Sequence, residues 1–185
     1  MHKFSPQNSE RLEHEERYSL LQPEQTLRRF GLREGMTFLD IGAGTGFFSR
    51  AASKIVSGTG TVYAADISTE MITAFRRHGI PKNVHLIHSK EYHVPLQRAD
   101  ADVTLLAFVL HETPQIPKFL SEVKRLTRFG GHIAILEWKK QAEESGPPME
   151  ERIDPDSLRT HLRGFKVLEQ ADLNPSHYYC ILQVV

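Results

Sequence analysis

Residues Phe38 to Ser49, FLDIGAGTGFFS, constrain this chain more than any other stretch. A short apolar run ends in three alternating glycines and passes at once into a helical pattern, so a strand must turn sharply into a helix. Gly42, Gly44 and Gly46 remove side chains from a place where a ligand would lie against the backbone. The helix that opens next offers free N–H groups and the positive end of its dipole, which suit a carboxylate or phosphate. A tight turn without a ligand is the competing explanation. Three glycines in five residues cost chain entropy, and a ligand gives that cost a reason.

The spacing narrows the ligand. A dinucleotide fingerprint places its third glycine at position 47, where this chain has Phe47; here the third glycine is Gly46. Thr61 to Asp66, TVYAAD, reads as the next strand, with Asp66 at its carboxyl end, twenty residues after Gly46. In open α/β sheets, ligands bind outside the carboxyl ends of the strands, where strand order reverses. A carboxylate there can accept both hydroxyls of a ribose, in NAD as in other adenosyl ligands. Its alternative role is a helix N-terminal acid before Ser68. Ile67 and Met71 follow as apolar candidates for an adenine slot, and Met71 reads more naturally as core.

At 185 residues the chain fits one domain with a sizeable core. Lys and Arg balance Asp and Glu at 23 each, which removes the electrostatic attraction behind non-specific nucleic-acid binding. Arg28-Arg29 and Arg76-Arg77 are short pairs on helix faces rather than a track for nucleic acid. The one cysteine, Cys180, has no intrachain disulfide partner and suits a reducing compartment. Residues 1–8 contain no apolar signal core, and the longest apolar stretch, Leu105 to Leu110, falls far short of the ~20 residues of a membrane helix. The expectation is a soluble cytoplasmic protein with a small-molecule partner, no nucleic acid and no membrane; its oligomeric state is not legible.

Strand and helix patterns alternate from Thr37 onward, which predicts a mainly parallel sheet with helices on both faces. Before it, Pro23 to Phe30 reads as a helix ended by Gly31, and Asn8 to Tyr18 as a short charged helix or lid. The remaining expectations are helices over Phe47 to Val56, Ser68 to His78, Ile116 to Leu126 and Asp156 to Leu162. Strands are expected over Val84 to His88, Ala101 to Phe108 and Ile133 to Trp138, the last entered through a Gly130-Gly131 turn. Lys139 to Pro148 reads as a loop. Phe165 to Ala171 and Tyr178 to Val184 close the chain as a hairpin, because so short a link forbids a parallel crossover.

With its acidic residue ahead of Gly-x-Gly-x-Gly, LDIGAGTGFF resembles motif I of the class I S-adenosylmethionine (SAM) methyltransferases, and VYAADIS extends the likeness. The resemblance runs from about Phe30 to the end and is nearest to the small ubiquinone- and menaquinone-pathway C-methyltransferases. It implies a Rossmann-like, doubly wound, seven-stranded α/β sheet, mainly parallel with a terminal antiparallel hairpin. It divides the chain into an N-terminal lid segment, 1–22, and a methyltransferase domain, 23–185. By the same resemblance, Gly42, Ala43, Gly44 and Gly46 cradle the methionyl group of SAM and Asp66 holds the ribose. Asp40 braces the loop and reaches the SAM amino group, and Ala107 and Phe108 lie near the methionyl backbone. The family usually carries an Asp after the third strand to read the adenine amine; here Lys90 stands in that place and cannot accept a hydrogen bond, so the role passes to Glu91.

SAM is an intrinsically good methyl donor, so such an enzyme mainly needs alignment in a dry pocket. His111 and Glu112 follow the fourth strand and are the candidate catalytic pair. His111 is the base or orienting group; Glu112 either balances the sulfonium or caps the helix beyond Pro114. Both are also open to a purely structural role at a strand end. Glu137 and Trp138 are placed to line the same mouth, and the acidic pairs Glu143-Glu144 and Glu150-Glu151 read as solvated loop charge. No metal is expected: His85 and His88 point to opposite faces of one strand, and no zinc-ligand spacing occurs. One cysteine is too few for an arsenic methyltransferase, and the Asp/Asn-Pro-Pro-aromatic motif of amino-directed nucleic-acid methyltransferases is absent. No nucleophile elbow is present. A SAM-binding protein without turnover and a nucleotide-dependent oxidoreductase stand as the alternative functions.

Overall fold

The computed structural model describes residues 15–98, 100–143 and 145–185. Two short helices, α1 (Glu15–Leu21) and α2 (Pro23–Arg29), lead into β1 (Thr37–Ile41), α3 (Phe47–Val56), β2 (Thr61–Asp66), α4 (Thr69–Arg77) and β3 (Val84–His88). Then come β4 (Ala101–Ala107), α5 (Ile116–Leu126), β5 (Thr127–Trp138), α6 (Pro155–Arg159), β6 (Phe165–Asp172) and β7 (His177–Val184). The seven strands form one sheet in the order β3-β2-β1-β4-β5-β7-β6. All pairs from β3 to β5 are parallel, and β7 runs antiparallel to both β5 and β6. This is the expected doubly wound α/β sheet with its terminal hairpin. Strand order reverses between β1 and β4, which sets the ligand crevice at the carboxyl ends of β1, β2 and β4.

Alternation along the strands sends side chains into two cores. Phe38, Val62, Ala64, Leu105, Leu136 and Tyr179 pack with α2, α3 and Phe75 of α4. Leu39, Ala65, Leu106, Ile133, Ile135 and Cys180 pack with α5 and with Leu158 of α6. Both faces are covered, so β1 and β4 are buried along almost their whole length. Cys180 is fully buried, and burial pushes its thiol up to about 11.

Three local features depart from the sequence expectation. The chain enters β5 directly from α5 at Thr127, and Gly130-Gly131 lie within the strand as a bulge. Register slips there, from Ala101 opposite Thr127 to Val103 opposite His132. Gly130 has φ +75°, and a Cβ on Gly131 would sit 2.9 Å from the Arg128 carbonyl oxygen and 3.0 Å from that of Ala101. Glu112 does not cap α5, whose N-cap is Gln115 with no side-chain bond. Helix α6 starts at Pro155, where Asp154 accepts from the Ser157 N–H at 2.9 Å, and ends at Arg159, short of Leu162.

Among the described residues no helix bridges β3 and β4. Arg125 of α5 holds that connection instead, donating to the carbonyls of Leu96 (2.8 Å) and Gln97 (2.6 Å), while Glu122 accepts from the Val94 N–H at 2.9 Å.

The glycine turn owes its sequence to protein packing as well as to any ligand. Gly42, Gly44 and Gly46 all have positive φ, at 76°, 56° and 86°. A Cβ on Gly42 would meet Val109 Cγ2 at 2.4 Å, and one on Gly46 would meet the Phe75 ring at 2.3 Å. Gly46→Ala therefore costs left-handed backbone strain plus overpacking, together about 3 kcal/mol. The ligand-free protein should lose roughly 6–12 °C in melting temperature, read by scanning calorimetry. An unchanged melting temperature would mean that the turn tolerates side chains and that glycine serves the ligand alone.

Candidate functional site

The carboxyl edge of the sheet gathers most of the expected site residues. Asp66 ends β2, and its carboxylate is clamped by two backbone donors: Gly44 N–H at 2.7 Å to Oδ2 and Ser68 N–H at 2.8 Å to Oδ1. A carboxylate has about four lone-pair positions, so one on each oxygen remains for a vicinal diol. Burial raises the Asp66 pKa, and the bonds from Ser68, Gly44 and Ile67 oppose that rise. The helix-acid role also holds in part, since Asp66 braces the Ser68 cap whose hydroxyl accepts from the Met71 N–H.

Asp40, on β1, is buried. Its Oδ2 accepts from the Ser49 hydroxyl of α3 at 2.6 Å. Burial drives its pKa up to about 7; the Ser49 bond and the charge of Arg17 pull it down, and Asp66 pushes it up. A cation bound beside it would favour the ionised form.

Around this pair, Ala43 and Ala107 are partly buried and Ile67 is 42% exposed, whereas Met71 is buried in the α4 packing. Glu91 sits in the turn closed by Lys90 and His93, whose backbones bond at 2.8 and 3.2 Å. The Ser89 N–H donates to the Asp66 carbonyl at 2.9 Å, which ties this turn to the end of β2. Phe108, just past β4, has φ +60°, a conformation costing about 1–3 kcal/mol for a bulky residue. Its N–H donates to the Leu136 carbonyl at 2.8 Å, and its ring stands 5.0 Å from His177 and 5.8 Å from Trp138.

His111 lies in the 3₁₀ turn Leu110–Glu112, buried against β5. Its Nδ1 is 2.8 Å from Glu137 Oε2, and Glu137 Oε1 accepts from the Leu110 N–H at 2.9 Å. Nδ1 therefore carries the proton, and Nε2, 3.9 Å from a Glu112 oxygen, is the basic side of the ring. Burial alone would lower the His111 pKa; the Glu137 bond and the charges of Glu137, Glu112 and Glu151 outweigh it and hold the pKa above the ordinary value. Glu137 follows Ile133 and Ile135 on the α5-facing side of β5.

The opposite side of the strand ends is aromatic and receives α1. Most of the expected lid segment, 1–22, lies outside the described residues. Of its described part, the Arg17 guanidinium stands 4.2 Å from the Phe47 ring centre and 5.9 Å from that of Phe108, and Tyr18 packs edge-on against Phe47. The 139–152 loop beside it is not merely solvated. Buried Arg152 gathers the carbonyls of Lys139, Gln141, Ser145 and Pro147 at 2.7–3.1 Å and lies over Trp138. Glu143, read from sequence as solvent charge, is mostly buried with an oxygen 3.9 Å from Arg152. Arg17, Arg152 and His177 carried no sequence signal, since each is a lone polar residue outside any motif. Among the described residues no group of three or more His, Cys, Asp or Glu is arranged to hold a metal ion.

The glycine turn after β1, the clamped acid at the end of β2 and the switch point between β1 and β4 share one edge of a sheet with the class I methyltransferase order. The methyltransferase domain family model matches residues 39–135, just over half of the chain. A SAM-dependent methyltransferase from Aquifex aeolicus is 34% identical, with 99% of this chain and 100% of that one covered at a TM-score of 0.93. A ubiquinone/menaquinone biosynthesis C-methyltransferase from Haemophilus ducreyi is 32% identical over 114 residues, 60% of this chain and 44% of the relative. A demethylmenaquinone methyltransferase from Staphylococcus aureus is 30% identical over 115 residues, 62% of this chain and 48% of the relative. The chain spans just under half the length of these two curated relatives. It belongs to the class I SAM-dependent methyltransferase family.

The His111–Glu137 pair makes a prediction that needs no substrate. In an NMR titration His111 should titrate above a free imidazole, about 6.5. Glu137→Gln keeps an oxygen for the Leu110 N–H but removes the charge, so the midpoint should move to lower pH. Because the folded pKa is the higher one, the pair stabilises the protein below the free-imidazole pKa. That contribution is lost as pH rises through the folded midpoint. A midpoint unmoved by Glu137→Gln would contradict the assignment.

Proposed function

We propose that this protein transfers the methyl group of SAM to a small organic acceptor held at the carboxyl edge of the sheet. The observation that carries the reading is the Asp66 carboxylate, fixed by the Gly44 and Ser68 N–H groups with a lone pair per oxygen left for ribose hydroxyls. Gly42, Ala43, Gly44 and Gly46 carry the methionyl group. Asp40 balances its ammonium, and Arg17 supplies positive charge for its carboxylate. Ile67 covers the adenine, with Glu91 and the backbone of its turn at the adenine edge.

When bound, SAM supplies an electrophilic methyl on a sulfonium. The protein's part is to align the acceptor, exclude water and take a proton where the acceptor must lose one. Nε2 of His111 takes that proton, because Nδ1–H is committed to Glu137; Glu112 stabilises the imidazolium that results. Residues 1–22 act as a lid, a role supported by the seating of Arg17 and Tyr18 on Phe47. The curated relatives' C-methylation of quinone-pathway compounds favours a planar organic acceptor. Balanced charge and one buried thiol suit a cytoplasmic enzyme without a nucleic-acid partner. Among the described residues no helix is long and apolar enough to cross a membrane.

S-adenosylhomocysteine at a hundredfold its Kd should stabilise the protein by about 2.7 kcal/mol, a melting shift of roughly 5–10 °C, and NADH should give none. Asp66→Ala should weaken the same ligand about a hundredfold, the cost of a charge-assisted bond pair. A shift with NADH alone, or an Asp66→Ala protein binding as tightly as the original, would overturn the reading.

A further inference from the structure

The aromatic side of the strand ends contains one polar atom that the fold leaves without a partner. His177 opens β7, is 2% exposed, and its Nε2 is buried with no hydrogen bond. The rest of the ring is fixed. Asn174 Oδ1 accepts from the Ser176 N–H, the His177 N–H and His177 Nδ1 at 2.9–3.0 Å, while Asn174 Nδ2 donates to the Leu20 carbonyl of α1 at 3.1 Å. The amide orientation thus requires a proton on Nδ1 and leaves Nε2 as a lone pair. The ring stands 4.3 Å from the Trp138 indole and 5.0 Å from Phe108, on the side of the sheet opposite the His111–Glu137 pair.

A phenylalanine would fill the same space without burying an unpaired acceptor, and such groups are uncommon in folded proteins. Tyr92 has the other such atom among the described residues, but its ring lies under Lys118 of α5 and packs against the α5-side core, not with this aromatic group.

We propose that His177 Nε2 accepts a hydrogen bond from an O–H on the methyl acceptor, and that the acceptor is a planar hydroxylated ring lying against Phe108. The proposal rests on the methyltransferase reading and adds the acceptor's chemistry to it. Phe108 belongs to both halves of the site: the methionyl contact lies at its backbone, and its ring faces Trp138 and His177. Arg152 and Gly146 already cover the Trp138 indole, so a ring laid here offers its face to Phe108 and its hydroxyl to the imidazole. Burial, with the positive charges of Arg17, Arg152 and Lys139, holds the His177 pKa down at about 4 against the pull of Glu143. The lone pair therefore stays available at neutral pH. Helix α1 is bonded to the same Asn174 that orients the ring, so lifting it to admit the acceptor and reseating it over the bound ring couples closure to acceptor orientation. His177 is an acceptor-positioning residue; no proton leaves through it.

The test uses the full chain loaded with S-adenosylhomocysteine, and phenol against anisole as probes of one ring with and without an O–H donor. Calorimetry first measures the S-adenosylhomocysteine affinity of the wild type and of His177→Phe, expected to agree within about twofold. Phenol should then bind the loaded wild type at least about fivefold more tightly than anisole, and His177→Phe should bring the ratio to about one. In the wild type, phenol and not anisole should move the ¹⁵N resonance of His177 Nε2, a readout that survives even if the variant folds poorly. If S-adenosylhomocysteine itself fails to bind the wild type, the methyltransferase reading falls, and this proposal with it. If it binds but phenol and anisole are equal, or the Nε2 resonance stays in place, the proposal alone is overturned.

Discussion

The site depends on how closely the Gly42–Gly46 turn approaches its neighbours. Three consecutive alternating residues with positive φ fold the chain back between β1 and α3, and the turn is pinned by Val109 on one side and the Phe75 ring on the other. Val109 follows β4 and Phe75 belongs to α4, so the same contacts bring three strand ends to one place. The Asp66 carboxylate then ties Gly44 to Ser68. A side chain in the turn would push these elements apart, and the lone pairs left on Asp66 would no longer lie beside the turn. Packing by itself thus requires glycine at Gly42 and Gly46.

Electrostatics divides the edge into regions with separate tasks. Asp40 and Asp66 place two buried carboxyl groups beside the turn, and because burial raises the pKa of both, a cation bound there would favour their ionised forms. On the α5 side, His111 and Glu137 form a buried pair whose outward nitrogen is basic. On the α3 side, His177 is neutral and walled by aromatic rings. Two histidines of equal intrinsic chemistry acquire opposite characters: burial prevails at His177, helped by Arg17, Arg152 and Lys139 against Glu143, whereas at His111 the neighbouring carboxylates outweigh burial.

Much of this was legible in the chain. Alternating patterns and the short 173–176 link require the parallel sheet and closing hairpin, and Asp66 was readable from its distance to Gly46. The motive for the glycines was legible only in part: the entropy argument called for a ligand, and the structure adds Val109 and Phe75, far away in sequence. Glu112 as a cap failed because Thr113 to Gln115 separate it from the first turn of α5. The Gly130-Gly131 turn became a bulge because β5 pairs with β4 from its first residue. Pairings such as His111 with Glu137, Arg152 with its four carbonyls, and His177 with Asn174 leave no periodic trace. Their geometry comes from strand register and loop closure, not from local pattern.

The account's central claim is that the glycine turn and Asp66 together seat an adenosyl ligand with its sulfur toward Phe108. A crystal structure with S-adenosylhomocysteine tests it directly. Both ribose hydroxyls should lie on the Asp66 carboxylate, with its bonds to Gly44 and Ser68 kept. The homocysteine chain should run along Gly42 to Gly46 and the sulfur should face the Phe108–Trp138–His177 wall. A ligand seated elsewhere, or Asp66 turned away from the ribose, would contradict the account.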